Sequence, residues 1–492
     1  MLQLLAIVIV SIAVASSEAA SYKFSLRESE GLYYIQDFFL GTPPQELHQI
    51  LIDTGSSDLI VLQSGFNYRE SSSFINTTNE FTGLYGSIGL FGMVQAFEVV
   101  TSPNGLVLQN ETFGLADADV VPAEFNGENG ILGLAYTRTE FIRPTYNHFT
   151  YLLKDEGKID RVLFAINGQS SDPSIVFGGI HAGIYEEPLT RVPLLPRPGT
   201  TTDFYVPMIT VDEIKLGDIV ISNQISAFSV DTGADVFVPP TPVLANLFTA
   251  IGADRFDDDD EGYTYFNIDD FKDKVLTLDV QGLEFTIELN DLIQDEKVVN
   301  GTTYVAIPQY SVDIGINADA GTLPGFLLKE WYMVWDYDNH QMYFARYMPS
   351  GEQVESIVNV ASGYELPVGT KDAPDPTNTY TAAYQANLET TITETNAETS
   401  SALGSSVETS GSDSATTLSD TSSSFETSDI ESSAGSSSSS DAQSTTVSES
   451  SLETSLIEHE ALGTTFSYES STTEVYHTEI TVTEYAQVCR SV

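Results

Sequence analysis

Two aspartates, Asp53 and Asp231, each begin an Asp-Thr-Gly triplet, and the triplets lie 231 − 53 = 178 residues apart. One such triplet says little about function, because aspartate and glycine are common in turns of every kind. Here each triplet follows an apolar run and precedes another, in the segments ILIDTGSSDLIVL and FSVDTGADVFVPP. The repeat predicts that two similar halves of the chain each deliver one carboxylate to a tight turn.

Two carboxyl groups held within a few ångströms of each other cannot both ionise readily, so the pair retains one proton over a broad acidic range. One carboxyl can then act as a base and the other as an acid. Such a pair can deprotonate a water molecule as it attacks a peptide carbonyl, and can donate a proton to the developing oxyanion. We therefore expect peptide-bond hydrolysis with Asp53 and Asp231 as catalytic residues, and we assign the proton to the pair.

The remaining residues of the two triplets have predicted supporting roles. Glycine allows close backbone approach in a turn, and threonine can bond across to the other half of the molecule. A hydroxyl just after the first triplet can support the first carboxylate. We expect Gly55 and Gly233 to bind substrate, and Thr54, Ser56 and Thr232 to support the catalytic pair.

The elements that must position these residues are mostly strands. Between residues 22 and 347, short β-branched and aromatic runs alternate with Gly, Asn, Asp and Pro turns, as in YYIQDFFLG, DLIVLQ and TLDVQGLEFTI. This pattern predicts a mostly β body. The best helical candidates are PVLANLFTAIG and YNHFTYLLKDEG.

With its paired triplets and strands, the chain resembles the pepsin family of aspartic proteases. Further segments resemble that family in the same order: LGTPPQ at 40–45, LYGSIGLFG at 84–92, GILGLAY at 130–136, IVFGGI at 175–180 and WYMVWDYDNHQMYFARY at 331–347. The segment at 84–92 resembles the family's flap hairpin. This resemblance implies that Tyr85 and Gly86 lie over the substrate and bind it.

The resemblance covers residues 31–347 and implies a bilobal pepsin-like fold with pseudo-twofold symmetry. We expect an N-terminal lobe at 20–200 and a C-terminal lobe at 201–347. The implied substrate is an extended peptide, held as a β-strand by a monomeric enzyme.

Three residues depart from the family pattern. Ile60 stands where most members have a Trp that can bond the flap tyrosine, which leaves the resting position of the flap open. Ala234 follows the second triplet, where a Thr or Ser hydroxyl usually supports the carboxylate. Its absence should raise the upper pKa of the pair and move activity toward milder acid. Pro324 replaces a usual Gly in TLPGF, and we expect local distortion there.

Other chemistries are disfavoured. The 6 His residues show no paired spacing, which argues against zinc. No Gly-x-Ser-x-Gly segment is present, and the single Cys lies near the end of the chain, which argues against serine and cysteine nucleophiles. The acidic run DDDDEGY at 257–263, read as an EF-hand loop, has Ile268 in place of the twelfth-position Glu. We expect a solvated loop there, with no metal and no cofactor.

The first 19 residues predict a signal peptide, because an apolar run is followed by small residues suited to cleavage after Ala15 or Ala19. The run is shorter than the roughly 20 residues needed to span a bilayer, and no later segment suits a membrane span. Asn76, Asn110 and Asn300 begin glycosylation sequons, which are used only in a secretory lumen. We expect a secreted protein, whether extracellular, periplasmic or associated with the cell wall.

Net charge also limits the partners. Lys and Arg total 19 against 71 Asp and Glu, giving a formal charge of −52. Such a chain is a poor partner for nucleic acid, and it suits acid surroundings, where protonation relieves its self-repulsion.

Ser, Thr, Glu and Asp dominate residues 348–492, which cannot bury enough apolar surface to offset the entropy of ordering. We expect a disordered, O-glycosylated, low-complexity tail without a fold of its own. A GPI signal needs a hydrophobic end of roughly 10–20 residues; the chain ends without one, so lipid anchoring is disfavoured. Cys489 is a predicted tether, and cell-wall components are expected partners of the tail.

Few residues separate the leader from the first strand, expected near Tyr33, so we expect no inhibitory prosegment and an enzyme made in active form. These traits together resemble a secreted yeast protease of this family that degrades a peptide mating pheromone. Two alternatives stay open. One is a yapsin-like processing protease of the cell surface, and the other is a catalytically weak, wall-associated peptide-binding protein.

Overall fold

The computed structural model describes residues 20–376 except for 86–87, 118–128, 170–171, 197–199, 259–261, 309–319 and 350–351. The predicted signal peptide, most of the predicted tail and Cys489 therefore lie outside the described residues. All described residues belong to one compact unit.

Strands dominate the described part of the chain, which confirms the predicted mostly β class. They are β1 (Tyr22–Ser29), β2 (Leu32–Ile35), β3 (Phe38–Leu40), β4 (Gln45–Leu47), β5 (Ile50–Asp53), β6 (Leu59–Leu62), β7 (Ile75–Tyr85), β8 (Ile88–Thr101), β9 (Val107–Ala116), β10 (Gly130–Gly133), β11 (Leu163–Asn167), β12 (Ser174–Phe177), β13 (Gly179–Ala182), β14 (Leu189–Pro193), β15 (Met208–Val211), β16 (Glu213–Leu216), β17 (Ile219–Ser222), β18 (Ser226–Asp231), β19 (Arg255–Asp258), β20 (Tyr263–Asn267), β21 (Val275–Val280), β22 (Leu283–Glu288), β23 (Asp295–Val299), β24 (Thr302–Pro308), β25 (Gly321–Pro324), β26 (Trp331–Asp336), β27 (Gln341–Arg346), β28 (Ser356–Asn359) and β29 (Thr370–Asp372).

Three α-helices are present in the described residues: α1 (Phe149–Asp155), α2 (Thr241–Ile251) and α3 (Ile268–Phe271). One predicted helical segment contains α1, and the other contains α2 except for its first residue, Thr241. None of the described helices is long and apolar enough to cross a membrane.

The widest sheet joins the two halves of the chain. Its strand order is β29-β14-β27-β26-β11-β12-β1-β2-β5-β10-β6-β9-β8-β3-β4, with β7 paired to β8. Strands β26 and β27, from late in the chain, lie beside β11 and β14 from its first half. The predicted lobe boundary near residue 200 falls between β14 and β15 and stays a prediction.

Each triplet ends an apolar strand that pairs in parallel with a later strand. In the first half, β5 pairs with β10, so that Asp53 lies opposite Gly133. In the second half, β18 pairs with β25, so that Asp231 lies opposite Pro324. Both strands of the first pair are buried throughout, which explains why their sequences read as continuous apolar runs rather than alternating ones.

The predicted tail at 348–492 stays a prediction, but its first described part takes part in the sheets of the body. Residues 352–376, which we call the C-terminal strap, pack against the body: β28 pairs with β13, and β29 runs parallel to β14. The buried guanidinium of Arg161 is ion-paired with Asp336 and donates to the main-chain oxygens of Tyr364 (2.9 Å) and Glu365 (3.2 Å). Main-chain pairing to an existing sheet edge orders this largely polar segment, and Val360 and Leu366 add buried apolar contacts.

Candidate active site

The two triplet loops are bonded to each other through their threonines. The Thr54 hydroxyl donates to the Val230 carbonyl (2.6 Å) and accepts the Thr232 N–H (3.0 Å). The Thr232 hydroxyl donates to the Ile52 carbonyl (2.8 Å) and accepts the Thr54 N–H (3.1 Å). Both threonines are buried, so these four bonds hold the loops at one fixed separation.

This cross-bonding brings the predicted carboxyl groups together. The buried side chains of Asp53 and Asp231 lie close enough for each to act on the protonation of the other. The glycines make room: a Cβ atom at Gly233 would lie 2.6 Å from Asp53 Oδ1, and one at Gly55 would collide with the Asp231 carboxyl group. Any larger residue at either position would push the pair apart.

Asp53 is the better-supported carboxylate. Its Oδ1 accepts the Gly55 N–H (2.8 Å), and its Oδ2 accepts the Ser56 hydroxyl in a short hydrogen bond. Burial raises the pKa of Asp53, and the hydrogen bonds from Ser56 and Gly55 partly oppose that rise. The Ser56 hydroxyl is therefore placed to favour the charged form of Asp53.

Asp231 has weaker support. It accepts main-chain N–H groups from Gly233 (2.9 Å) and Ala234, and residue 234 has no hydroxyl to offer. Burial raises the pKa of Asp231 well above its ordinary value, and the adjacent charge of Asp53 raises it further. The pair therefore keeps a proton above the ordinary pKa of an aspartate, and the Ser56 hydroxyl favours the charged form of Asp53 over that of Asp231.

The predicted flap forms the hairpin of β7 and β8, in which Tyr85 pairs with Ile88 and Leu84 with Gly89. Gly86 and the side chain of Tyr85 lie outside the described residues. Ile60 is fully buried in an apolar cluster that includes Met93 of β8, with Phe81 of β7 packed against it. In place of a hydrogen bond to the flap, the position thus provides apolar contact beneath the flap strands.

At Pro324, where we expect distortion, the strand pairing is kept but the hydrogen bonds around the proline differ from those of the first half, since proline has no N–H to match that of Gly133. The β18–β25 register runs without a break from Phe228 to Asp231. In the first half, Leu134 N–H donates to the Asp53 carbonyl (2.7 Å), whereas the corresponding Gly325 N–H donates to the Ala234 carbonyl (3.0 Å). Proline is tolerated because it is the last residue of the strand, where the missing N–H interrupts the ladder least.

A group of buried polar residues behind the first triplet was not predicted. Asp58, five residues after Asp53, is fully buried and accepts the Phe141 N–H (2.5 Å) and the Tyr146 hydroxyl (2.9 Å). Glu140 is 1% exposed and accepts the Tyr146 N–H (2.9 Å). The aspartate in the segment DTGSSD was visible in the sequence, but its partners lie more than 80 residues away.

A cavity of about 440 Å³ lies beside the second triplet loop. Asp235, next to Ala234, lines it together with Phe326 and Leu327, which follow the β25 strand. The loop after the second triplet thus opens toward a space large enough for a peptide side chain.

The remaining predicted sites are on the surface. Asn76, Asn110 and Asn300 are all exposed, the last two at positive φ. The acidic run is not simply a solvated loop: in its first residues Asp257 accepts the Thr264 hydroxyl (2.8 Å) and Asp258 is ion-paired with Lys297 (2.8 Å). No group of three or more His, Cys, Asp or Glu side chains among the described residues is arranged to hold a metal ion.

Comparison with known proteins agrees with this geometry. Residues 33–347 match the family described as eukaryotic aspartyl protease. The chain is 27% identical over 331 residues to pepsin A of Sus scrofa, covering 63% of this chain and 80% of that protein. It is 27% identical over 341 residues to vacuolar protease A of Aspergillus fumigatus, covering 64% and 78%.

A solved structure, the aspartic proteinase from Irpex lacteus, has the same fold, with a TM-score of 0.56 and 20% identity. The match covers 68% of this chain and all of that one. Because the family match spans more than half of the sequence, the chain belongs to the eukaryotic aspartyl proteases of the pepsin family. It is accordingly an aspartic endopeptidase with the predicted pepsin-like fold.

Proposed function

We propose that Asp53 and Asp231 are the catalytic pair of this endopeptidase. The observation that carries the proposal is the convergence of the two buried carboxyl groups, held by the reciprocal threonine bonds of Thr54 and Thr232. A rigid pair of this kind suits catalysis, since the reacting groups need no reorganisation during the reaction.

In this proposal the ionised Asp53 takes a proton from a water molecule, whose oxygen attacks the carbonyl carbon of the scissile bond. Asp231 donates its proton to the carbonyl oxygen as negative charge develops there. The tetrahedral intermediate then collapses: the C–N bond breaks, the leaving nitrogen takes the proton held by Asp53, and Asp231 recovers its own proton. Gly55, Gly233, Tyr85 and Gly86 contribute to substrate binding, and Ser56 keeps Asp53 ionised.

The finer proposal concerns the substrate and the place of action. The proposal is supported by traits that resemble those of barrierpepsin: a leader-like segment at 1–19, a Ser/Thr-rich region and a Thr-Glu-Tyr…Cys segment at 483–489. We infer a secreted enzyme, glycosylated at its exposed sequons, that degrades a short secreted peptide such as a mating pheromone. The lobes proposed at 20–200 and 201–347 form the cleft that holds this peptide as an extended strand.

The test is to incubate secreted protein with a mating peptide and map the cleavage products. Asp53→Asn and Asp231→Asn should each lower kcat/KM at least about a thousandfold, and pepstatin should abolish cleavage by the unaltered protein. Asp218→Asn, which removes an exposed carboxylate in the β16–β17 turn, is the matched control and should keep full activity.

Three outcomes separate the candidate functions. Rapid cleavage of the pheromone-like peptide supports degradation. Cleavage restricted to longer precursor proteins would favour a yapsin-like processing protease of the cell surface. Binding of the peptide without cleavage would overturn catalysis and favour the peptide-binding alternative.

A further inference from the structure

Asp58 connects the first catalytic loop to the segment that follows β10. Its side chain accepts hydrogen bonds from the Phe141 N–H and the Tyr146 hydroxyl, and its carbonyl accepts the Gly133 N–H (3.0 Å). Gly133 is the residue paired with Asp53 in the β5–β10 ladder. Asp58 therefore joins the loop that carries Asp53 both to β10 and to the segment that follows it.

The neighbouring residue reinforces this connection. The Ser57 hydroxyl donates to the Tyr136 carbonyl (2.5 Å) and is hydrogen-bonded to the Thr139 hydroxyl. Ser57 and Asp58 are both fully buried. Movement of the segment 136–146 would therefore be transmitted to the loop that carries Asp53.

The segment is held by a carboxyl group that has no counter-charge in contact with it. Glu140 is buried, its Oε2 accepts the Tyr146 N–H, and its Oε1 has no hydrogen-bond partner among the described residues. Tyr146 thus touches two buried acids at once, Asp58 through its hydroxyl and Glu140 through its N–H. Burial raises the pKa of both acids, and the charge of Asp58 raises the pKa of Glu140 further.

The charged groups around Asp58, Tyr146 and Glu140 do little to stabilise a negative charge on Glu140. Glu111 of β9 is fully buried with neither carboxyl oxygen partnered among the described residues, and its charge acts on Tyr146. The exposed Arg143 attracts Asp58 and Glu140 without forming an ion pair with either among the described residues, and donates to main-chain oxygens. His148, on the same segment, is buried and bonds the Ala135 carbonyl.

We propose that Asp58, Tyr146 and Glu140 form a proton-dependent lock that positions the first catalytic loop. With Glu140 protonated, the lock is closed and Ser57 and Asp58 hold the loop. Ionisation of Glu140 next to Asp58 opens it, releases the segment 136–146 and loosens the support of Asp53. Asp58 and Tyr146 are then positioning residues, acting through the loop rather than on the substrate.

Burial raises the pKa of Glu140 to about 8, which places the opening of the lock near neutral pH. The lock is therefore closed in the acid range in which the catalytic pair holds its single proton. The lock deepens the proposed function, because it adds a condition under which Asp53 is held in position for catalysis. Only its expected effect on activity rests on the proposed function.

The test is hydrogen–deuterium exchange of the full chain at pH 5 and pH 8, corrected for intrinsic exchange rates. In the unaltered protein, protection of residues 53–58 and 136–146 should fall at least about tenfold between the two pH values. Glu140→Gln keeps an oxygen for the Tyr146 N–H and cannot ionise, so protection should persist at pH 8. Glu296→Gln, which removes an exposed carboxylate on β23, is the matched control and should behave like the unaltered protein.

Activity gives a second readout. Tyr146→Phe, which removes only the hydroxyl, should lower kcat about tenfold at pH 5 with little change in KM. After incubation at pH 8 and return to pH 5, Glu140→Gln should retain several times more activity than the unaltered protein.

Equal loss of protection in Glu140→Gln and the unaltered protein would overturn the lock. So would a Tyr146→Phe variant that melts at a lower temperature but has unchanged kcat, since that result indicates a merely structural role. If the unaltered protein cleaves no peptide while the exchange pattern is as expected, the proposed catalytic function fails and the lock stands.

Discussion

The two halves of the active site share one framework and differ in what surrounds it. Each half ends an apolar strand in a triplet, pairs it in parallel with a later strand and sends a threonine across to the other. In the first half, a hydroxyl bonds the carboxylate and a buried polar network lies behind the loop. In the second half, an alanine replaces that hydroxyl and the loop borders a cavity.

The difference shows how a symmetric backbone framework can place two aspartates in unequal surroundings. The strand after the first triplet is a full partner of β10, whereas its counterpart in the second half is reduced to a single bridge between Val238 and Thr322. The first half is therefore built to hold a charge in place. The second half offers its carboxyl group no hydroxyl donor and has fewer constraints on the loop that follows it.

The shared framework should show the largest effect. Thr54→Ala or Thr232→Ala leaves a buried N–H and a buried carbonyl without a partner, so each should cost about 2–4 kcal/mol of unfolding free energy. Denaturant unfolding at pH 5 measures this loss, and each Thr→Ser variant should restore most of it. Unequal losses in the two halves would contradict the view that the framework is symmetric.

The buried acids of the first half should come next. Burial raises the pKa of Glu111 well above its ordinary value of 4.5, so the folded protein keeps a proton that the unfolded chain loses. Its contribution to stability is therefore full below about pH 4.5 and falls as pH rises. Glu111→Gln should remove this decrease in stability, so that its unfolding free energy at pH 7 is about 2 kcal/mol higher than that of the unaltered protein.

Unfolding free energy measured from pH 4 to pH 8 checks this expectation, with the exposed Glu296→Gln as the reference. The substitution keeps the sequon at Asn110 intact, so glycan differences do not interfere. A variant whose stability falls with pH as steeply as that of the unaltered protein would show that Glu111 is not the source.

The unequal hydroxyl support should have a moderate effect on rate. Ser56→Ala removes the bond that favours the charged form of Asp53, so kcat should fall about tenfold and the acid limb of the pH–rate profile should move to higher pH. Ala234→Thr adds a hydroxyl near Asp231, should lower its raised pKa, and should move the alkaline limb to lower pH. If neither limb moves, the asymmetry of the pair has no chemical effect.

Outside the catalytic pair, Asp212 of the second half should show the smallest effect of pH on stability. Burial and the nearby charge of Asp279 raise the pKa of Asp212 to about 6, so its contribution is full below about pH 4 and is lost by pH 6. Asp212→Asn should flatten the stability curve only in that window, by about 0.5–1 kcal/mol because the group is partly exposed. If Asp212→Asn changes the pH dependence of the unfolding free energy up to pH 8, the two halves do not differ in this respect.

The sequence was sufficient for the framework of this site. Asp53, Asp231 and their threonines were predictable because a repeated motif implies a repeated position, and a twofold arrangement brings the copies together. The strands were predictable where apolar runs alternate with turn residues, as in TLDVQGLEFTI, which forms the β21–β22 hairpin. Local patterns of this kind need no knowledge of distant contacts.

What could not be predicted depends on contacts between distant segments. Tyr146 meets Asp58 across 88 residues of sequence, and no local pattern distinguishes a buried aspartate from one in an exposed turn. Arg161 is one of few cations in an acidic chain and would be expected at the surface, yet it is fully buried because Asp336 and two main-chain oxygens of the strap surround it.

The C-terminal strap has a mechanical consequence for everything that follows it in the chain. Its last described bonds join Asp375 N–H to the Gln281 carbonyl (3.1 Å) and Ala373 N–H to the Arg191 carbonyl (2.9 Å). Tension applied to the chain beyond residue 376 would be borne first by these bonds and by β29 at the edge of the widest sheet. In a protease held by its tail, the force would thus act on that edge of the sheet. It would reach the triplet loops only after the hydrogen bonds of the strap had broken.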